Sequence, residues 1–297
     1  MSQSLFPIGV TAVMLPDHTF EQQIALCREC GITHYSWRPR VVPEVQRDQE
    51  PSPWGRHIFD LTPQRLVDEG RDLKRQLDEA GLVSFATLPN AAIEGPDDDL
   101  KRHLEGAAVV DAGRVRVSPF TYPVGPFDYD DLLARMIDRF GKVIEIARPF
   151  GQKLVVETHC RSIATSPALA LNICSPFDPA DIGVIFDVNN FMIEGGLVPN
   201  LAVAVLGRYI DHCHVGSARR TAGTVDDLGF REAGTEMCAL TEGDLHVPSW
   251  IGALHDAGIH APLIIENFAG HASSASRLAE STDQIRAIVG ALAKKGA

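Results

Sequence analysis

Apolar runs of strand length alternate with helix-period segments along the whole chain, and this alternation is the feature that most constrains the fold. Eight runs are predicted to form strands, at residues 6–13, 34–40, 83–90, 114–120, 153–159, 183–190, 210–216 and 262–268. The segments between them repeat apolar residues with the period of an amphipathic helix, and several end in glycine just before the next strand. This repeated unit predicts an α/β fold, a single (β/α)8 TIM barrel spanning residues 1–297.

An open, doubly wound sheet is the alternative α/β architecture. The length of 297 residues fits either one large domain or two smaller ones. A dinucleotide-binding sheet would carry a G-x-G-x-x-G turn after its first strand, and no such turn follows residues 6–13. We therefore expect one barrel domain.

Two long connections, residues 41–60 and 217–247, have no helical pattern. Both follow predicted strands, so in a barrel both lie over the C-terminal mouth, where substrates bind. Connections of this length are typical of lids or of subunit contacts. We expect a homo-oligomer, with a hetero-oligomer as the alternative.

Charge and cysteine usage narrow the class of protein. The net charge of -12 repels polyanions, so we expect neither nucleic acid nor a membrane as a partner. The first residues do not have the pattern of a signal peptide, and no apolar stretch approaches the ~20 residues that cross a bilayer, so we expect a cytoplasmic protein. Cys27 and Cys30 form a C-x-x-C inside an amphipathic helix pattern without a second pair at zinc spacing, which indicates buried, reduced thiols.

Four strands in the second half of the chain end in an ionisable residue. These residues are Glu157 after LVV, Asp187 after VIF, His214 in DHCH and Glu266 after LII. A single carboxylate at a strand end is usually a helix cap or a surface charge, but in a barrel the ends of consecutive strands converge on one rim. Three carboxylates brought together repel one another unless a cation neutralises them. The set therefore predicts a divalent metal, Mn²⁺ first, with Co²⁺, Mg²⁺ and Zn²⁺ as alternatives.

The segments VVETH, IFDVNNFMIEGG, DHCHVGSARR, TEGDLHVPSW and LIIENF resemble the metal-site segments of the xylose isomerase-like TIM barrels. The order and spacing of the resemblance cover nearly the whole chain, and its motifs are specific from about Lys153 onward. The resemblance implies a barrel with a Glu-Asp-His-Glu metal site. It also assigns the ligand of the H-x-H strand to its second histidine, His214, and leaves His212 as a supporting neighbour.

The same resemblance suggests roles for further side chains. In the ketose 3-epimerases of this family, the two ligand glutamates also act as acid and base, so Glu157 and Glu266 are the expected proton-transfer groups. His159, two residues after Glu157, is an expected auxiliary acid or base. Arg220 corresponds to an arginine that contacts substrate oxygens, with Arg219 as the alternative.

Other positions are candidate substrate contacts. Asn190 stands where the epimerases carry a histidine, and it can form hydrogen bonds without supplying an acid. Gly216 and Ser217 replace charged residues of the relatives, so substrate specificity does not transfer. The remaining candidates lie at strand ends and in the first long connection: Trp37, Arg38, Trp54, His57 and Asn90.

These residues together predict a metal-dependent sugar isomerase or epimerase. It would remove a proton next to a carbonyl of a small carbohydrate or keto-sugar and form a metal-stabilised enediolate. One alternative is a lyase that forms the same enediolate and expels a β-substituent from a keto-sugar. The other is a non-catalytic barrel subunit, which would bind no metal at the four residues. The three-metal chemistry of endonuclease IV is not expected, because that enzyme needs more histidines and aspartates.

Overall fold

A closed barrel of eight parallel strands forms the centre of the molecule, which confirms the predicted (β/α)8 TIM barrel. The computed structural model describes residues 5–160, 162–193, 198–270 and 272–295. The barrel strands, in order around the barrel, are β1 (Ile8–Thr11), β2 (His34–Trp37), β3 (Val83–Thr87), β4 (Arg114–Arg116), β5 (Lys153–Glu157), β6 (Ile182–Asp187), β7 (Ile210–Val215) and β10 (Leu263–Ile265), which pairs with β1.

Helices surround the barrel. They are α1 (Phe20–Glu29), α2 (Pro63–Glu79), α3 (Asp97–Val109), α4 (Tyr129–Ala147), α5 (Pro167–Cys174), α6 (Val188–Ile193), α7 (Pro199–Leu206), α8 (Val247–Asp256) and α9 (Ser274–Lys295). The start of α2 shows how local sequence determines where a helix begins. The Thr62 hydroxyl accepts a hydrogen bond from the Arg65 backbone N–H, and Pro63 occupies the first turn. None of the described helices is long and apolar enough to cross a bilayer.

The two long connections differ from each other. Residues 41–60 contain a single 3₁₀ turn at Glu44–Gln46 and no other helix or strand. Residues 217–247 hold an antiparallel hairpin, β8 (Ala218–Val225) and β9 (Arg231–Met237), where the sequence predicts no regular structure. Most hairpin residues are exposed on both faces, so the strands lack the apolar alternation by which a strand is recognised in sequence.

Strand alternation divides the buried residues into two sets. Leu154 and Val156 of β5 pack outward in the large core between the strands and the helices. Val155 belongs to a separate small cluster inside the barrel, together with Phe85, Ala86, Leu88, Ile185 and Ile264. This inner cluster fills the middle of the barrel, and charged residues lie beyond it toward both ends.

One charged group lies at the N-terminal end of the barrel, and we call it the base cluster: Arg114, Lys153, Asp211 and His212. The Asp211 carboxylate is 2.6 Å from Arg114 Nε, 2.8 Å from Lys153 Nζ and 2.9 Å from His212 Nδ1. Gly183 makes room for it, because a Cβ there would lie 2.8 Å from Lys153 Cε and 3.0 Å from Asp211 Cβ.

Candidate metal and substrate site

The four ionisable strand-end residues come together at the C-terminal end of the barrel. We call Glu157, Asp187, His214 and Glu266 the mouth cluster; each offers one potential ligand atom, and all four atoms lie within 4.8 Å of one another. His214 Nδ1 is 2.9 Å from Glu157 Oε1, 3.0 Å from Glu266 Oε2 and 3.8 Å from Asp187 Oδ2. The side chains share the barrel interior because each lies two residues beyond an inward-facing position of its strand.

The charges of the mouth cluster are not balanced within it. Burial raises the pKa of Asp187, and the neighbouring charge of Glu157 raises it further. Burial alone would lower the pKa of His214, but the Glu266 charge and hydrogen bonds with Asp187 and Glu157 raise it well above its usual range. The carboxylates therefore hold a proton on the imidazole. One imidazole nitrogen and three carboxylate oxygens at this spacing also fit a divalent cation, which would neutralise the carboxylates without that proton.

Arg116 orients Glu157, and sequence reasoning did not identify it. Its Nη1 donates to Glu157 Oε2 at 2.7 Å, and its Nη2 donates to the Pro89 carbonyl at 3.1 Å. Burial would raise the pKa of Glu157, but Arg116 and His214 lower it well below its usual range. The available signal was the alternation in RVR, which places Arg116 on the inward face at the end of β4.

Asn190 holds Asp187 in place. Its side-chain amide donates to Asp187 Oδ2 at 2.8 Å, and its backbone N–H donates to Oδ1 at 2.9 Å. The Asp187 backbone N–H in turn donates to the Thr158 hydroxyl at 3.1 Å. Since α6 begins directly after Asp187, the first turn of a helix fixes both oxygens of this carboxylate.

A cavity of about 380 Å³ opens onto the mouth cluster. Its lining residues come from several strand ends and both long connections, and they include Arg38, Arg40, Trp54, Asn90, Arg116, Glu157, His159, Asp187, Asn189, Asn190, Met237, Glu266 and Phe268. His159 is exposed in this cavity, and a hydrogen bond with Cys160, aided by the Glu157 charge, raises its pKa to about 9. Of the candidate substrate contacts, Arg38, Trp54, Asn90 and Asn190 therefore line the cavity.

Three candidates lie elsewhere. Trp37 is fully buried, stacks on Phe20 of α1 at 5.5 Å and donates its indole N–H to the Ser84 hydroxyl at 2.8 Å. It packs toward the helices because β2 turns alternate residues outward, and the neighbouring Arg38 occupies the cavity instead. His57 is buried within the first long connection, where burial and the Arg38 charge lower its pKa to about 3.

Arg220 is the third candidate outside the cavity. It is exposed on β8, and its backbone N–H donates to Asp244 Oδ2 at 2.7 Å. The adjacent Arg219 pairs with Glu236 across the hairpin. Neither arginine is among the described residues that line the cavity.

His212 differs from His214 in its surroundings. Its ring is fully buried, lies edge-on to Phe85 at 5.1 Å and contacts Asp211 through Nδ1. Burial lowers the pKa of His212 to about 4, so this imidazole is neutral at physiological pH. It lies one layer below His214, with the two ring centroids 5.3 Å apart.

The sequence profile of the family described as xylose isomerase-like TIM barrel matches residues 44–290 of the chain. The chain belongs to this family. That assignment agrees with the closed barrel and with the resemblance of the strand-end segments. A search of curated protein sequences finds no significant match.

Solved structures share the fold of this xylose isomerase-like barrel at low sequence identity. L-Ribulose 3-epimerase is 15% identical, with a TM-score of 0.72, over 98% of this chain and 97% of that one. The IOLI protein with a bound zinc atom is 14% identical, with a TM-score of 0.73, over 97% and 99%. The probable 3-DHS dehydratase AsbF from Bacillus anthracis is 12% identical, with a TM-score of 0.69, over 95% and 99%.

Proposed function

We propose that the protein is a divalent-metal-dependent sugar isomerase or epimerase, with Glu157, Asp187, His214 and Glu266 as the metal ligands. The observation that carries the proposal is the convergence of these four ligand atoms within 4.8 Å at the floor of a cavity. A cavity of about 380 Å³ has the size of a small-ligand site and suits a monosaccharide.

A bound divalent cation would supply one kind of chemistry, stabilising negative charge on the substrate oxygen next to the carbon that loses its proton. The chain's own residues would carry out the proton transfers. Glu157 is held ionised by Arg116 and can accept a proton from the substrate. Asp187 is less suited to proton transfer, because Asn190 occupies both of its oxygens.

Glu266 is the proposed partner of Glu157 in proton transfer. Its carboxylate meets His214 Nδ1 at 3.0 Å, while that of Glu157 meets the same nitrogen at 2.9 Å, so the two flank one point at the cavity floor. One carboxylate can remove a proton while the other returns a proton to the substrate. His159 lines the same cavity and is the proposed auxiliary acid or base.

Mn²⁺ remains the metal that we expect. The zinc atom in the IOLI structure, a protein of the same fold, makes Zn²⁺ the first alternative to test. Metal analysis of the purified protein, followed by titration of Mn²⁺ and Zn²⁺ into metal-free protein, should give one site per chain. Glu266→Gln should lose that site, and the exposed control Glu105→Gln on α3 should keep it. Absence of any metal site in the wild type would favour a non-catalytic barrel.

Solvent-deuterium exchange separates isomerase from lyase. Incubation with ketoses in D₂O should give deuterium at the carbon next to the carbonyl with the carbon skeleton retained. The lyase is the second candidate, because His159 in the cavity wall could protonate a leaving group as an elimination requires. Release of water or of an aglycone from a keto-sugar, in place of exchange into a retained skeleton, would favour the lyase.

A further inference from the structure

We propose that the substrate carries an anionic group, a carboxylate or a phosphate, and that Arg38 and Arg40 bind it; this inference rests on the proposed function. Both residues follow β2 at the C-terminal end of the barrel. They lie two positions apart, and both line the cavity that holds the mouth cluster.

The two arginines have only neutral partners. Arg38 Nη2 donates to the Gly55 carbonyl at 3.2 Å. Arg40 donates to the Trp54 carbonyl at 2.8 Å and to the Gln46 side-chain oxygen at 3.0 Å. Within the described ranges, no carboxylate lies within 4.0 Å of either guanidinium. Asp60 acts on Arg38 from beyond that distance.

Arg116 lines the same cavity and, unlike Arg38 and Arg40, has a carboxylate counter-ion among the described residues. It forms an ion pair with Glu157 at 2.7 Å. Arg38 is as deeply placed, only 8% exposed, yet it has no such partner. A buried charge without a counter-ion is unfavourable, so an anion arriving with the ligand would gain an interaction that the protein itself does not satisfy.

The first long connection prepares this pair for a ligand. Gln46, Trp54 and Gly55 all belong to residues 41–60, and together they hold both guanidinium groups through neutral acceptors. Trp54 also packs against Phe268, with ring centroids 4.7 Å apart, and closes one wall of the cavity. A guanidinium fork held in this way suits the two oxygens of a carboxylate or a phosphate.

The positive charge of the two arginines is opposite in sign to the net charge of the chain. The chain carries a net charge of -12, so its summed field opposes the approach of anions. A cavity with arginines on one side and the mouth cluster on the other would orient an anionic sugar along its length. The anion would lie on Arg38 and Arg40, and the carbonyl end would lie on the candidate metal ligands.

Calorimetric binding of three sugars that differ only at C6 tests the inference: D-fructose, D-fructuronate and D-fructose 6-phosphate. We expect at least one anionic sugar to bind tenfold or more tightly than fructose, and the preferred one identifies carboxylate or phosphate. Arg40→Gln and Arg38→Gln should each remove most of that preference, and Arg40→Lys should keep part of it. Arg47→Gln, an exposed arginine of the same connection, is the matched control and should leave the preference unchanged.

Two results would overturn the inference: anionic sugars that bind no more tightly than fructose, or a preference that survives both glutamine variants. Circular dichroism of each variant verifies that the fold is retained. Because binding is measured rather than turnover, failure here is distinguishable from failure of the proposed function. Missing metal or deuterium exchange contradicts the proposed function, whereas a missing charge preference contradicts only this inference.

Discussion

The mouth cluster and the base cluster occupy opposite ends of the same barrel interior, and their charges are arranged in opposite ways. In the base cluster one carboxylate, Asp211, contacts two permanent cations and a neutral imidazole. In the mouth cluster three carboxylates surround one imidazole, and Arg116 is the one further cation that contacts them within the described part of the chain. Permanent cations outnumber carboxylates at the base, whereas carboxylates outnumber permanent cations at the mouth, where we propose that a metal ion binds.

We expect this difference to separate stability from function. Residues at the N-terminal end of TIM barrels usually serve the fold, and those at the C-terminal end serve the chemistry. Replacing a carboxylate by its amide changes one charge with little change in volume. The same substitution at the two ends should therefore have different consequences, and three variants test this expectation.

The largest effect is expected for Glu157→Gln at the mouth. Loss of the proton acceptor should lower the rate of deuterium exchange into substrate by about 10²–10⁴-fold, because general acid–base catalysis contributes a factor of that size. Mass spectrometry of the recovered sugar measures the rate, and Glu105→Gln serves as the control. A Glu157→Gln protein that exchanges deuterium at the wild-type rate would remove Glu157 from the proposed proton transfer.

Asp211→Asn at the base should reduce stability instead. It leaves Arg114 and Lys153 without their carboxylate, and removing one partner of a buried ion pair costs about 3 kcal/mol of unfolding free energy. Urea titration measures this cost. Burial would raise the pKa of Asp211, but His212, Arg114 and Lys153 hold it well below its usual range. Its contribution is therefore complete above about pH 4, the pKa of an unperturbed aspartate, and declines at lower pH.

The gap in stability between wild type and Asp211→Asn should accordingly be widest near neutral pH and shrink under acid. Deuterium exchange at neutral pH should persist in the fraction of Asp211→Asn protein that stays folded. Loss of exchange in fully folded Asp211→Asn protein would mean that the two clusters do not divide stability from function.

Asp187→Asn should have the smallest effect on the metal-free protein. Removing one of three mutually repelling carboxylates should leave the unfolding free energy unchanged or raise it by up to about 1 kcal/mol at neutral pH. The raised pKa of Asp187 gives the sign, because its ionised form is disfavoured in the fold and any gain disappears below about pH 4.

Added metal should reverse this result, making the wild type more stable than Asp187→Asn. Mn²⁺ at about 100 times its Kd should stabilise the wild type by about 2.7 kcal/mol, and Asp187→Asn should lose that gain. Thermal unfolding with and without Mn²⁺ measures both values. If Asp187→Asn destabilised the metal-free protein as much as Asp211→Asn, the mouth cluster would have to be a structural network like the base.

The strands and the mouth cluster could be predicted from sequence because both depend on local patterns. An apolar run that ends in Glu157 or Asp187 indicates the end of a strand. The barrel topology then brings such strand ends together. Arg116 was missed because the sequence predicts a strand at residues 114–120, whereas β4 ends at Arg116, so this residue was not recognised as a strand end. Arg220 lies outside the cavity because it belongs to the exposed strand β8 of the hairpin, whose pairing is not visible in local sequence.

Trp37 and Arg38 show a different limit. One step along a strand moves a side chain from the helix layer to the cavity, so their assignment depends on knowing the register. The pairing of β2 with β3 shifts between Tyr35 and Ser36, just before these residues. Periodicity identifies the strand there, but only the folded barrel shows which of the two neighbours lines the cavity.

The inner apolar cluster around Phe85, Val155, Ile185 and Ile264 acts as a plug between the two charged layers. It closes the floor of the cavity, so reactants and solvent exchange with the site through the mouth. For protein engineering, this means that the base cluster can be changed to raise stability while the mouth cluster is changed to alter the chemistry. The ring contact between His212 and His214 is the point where a change in the base cluster could still alter the mouth cluster.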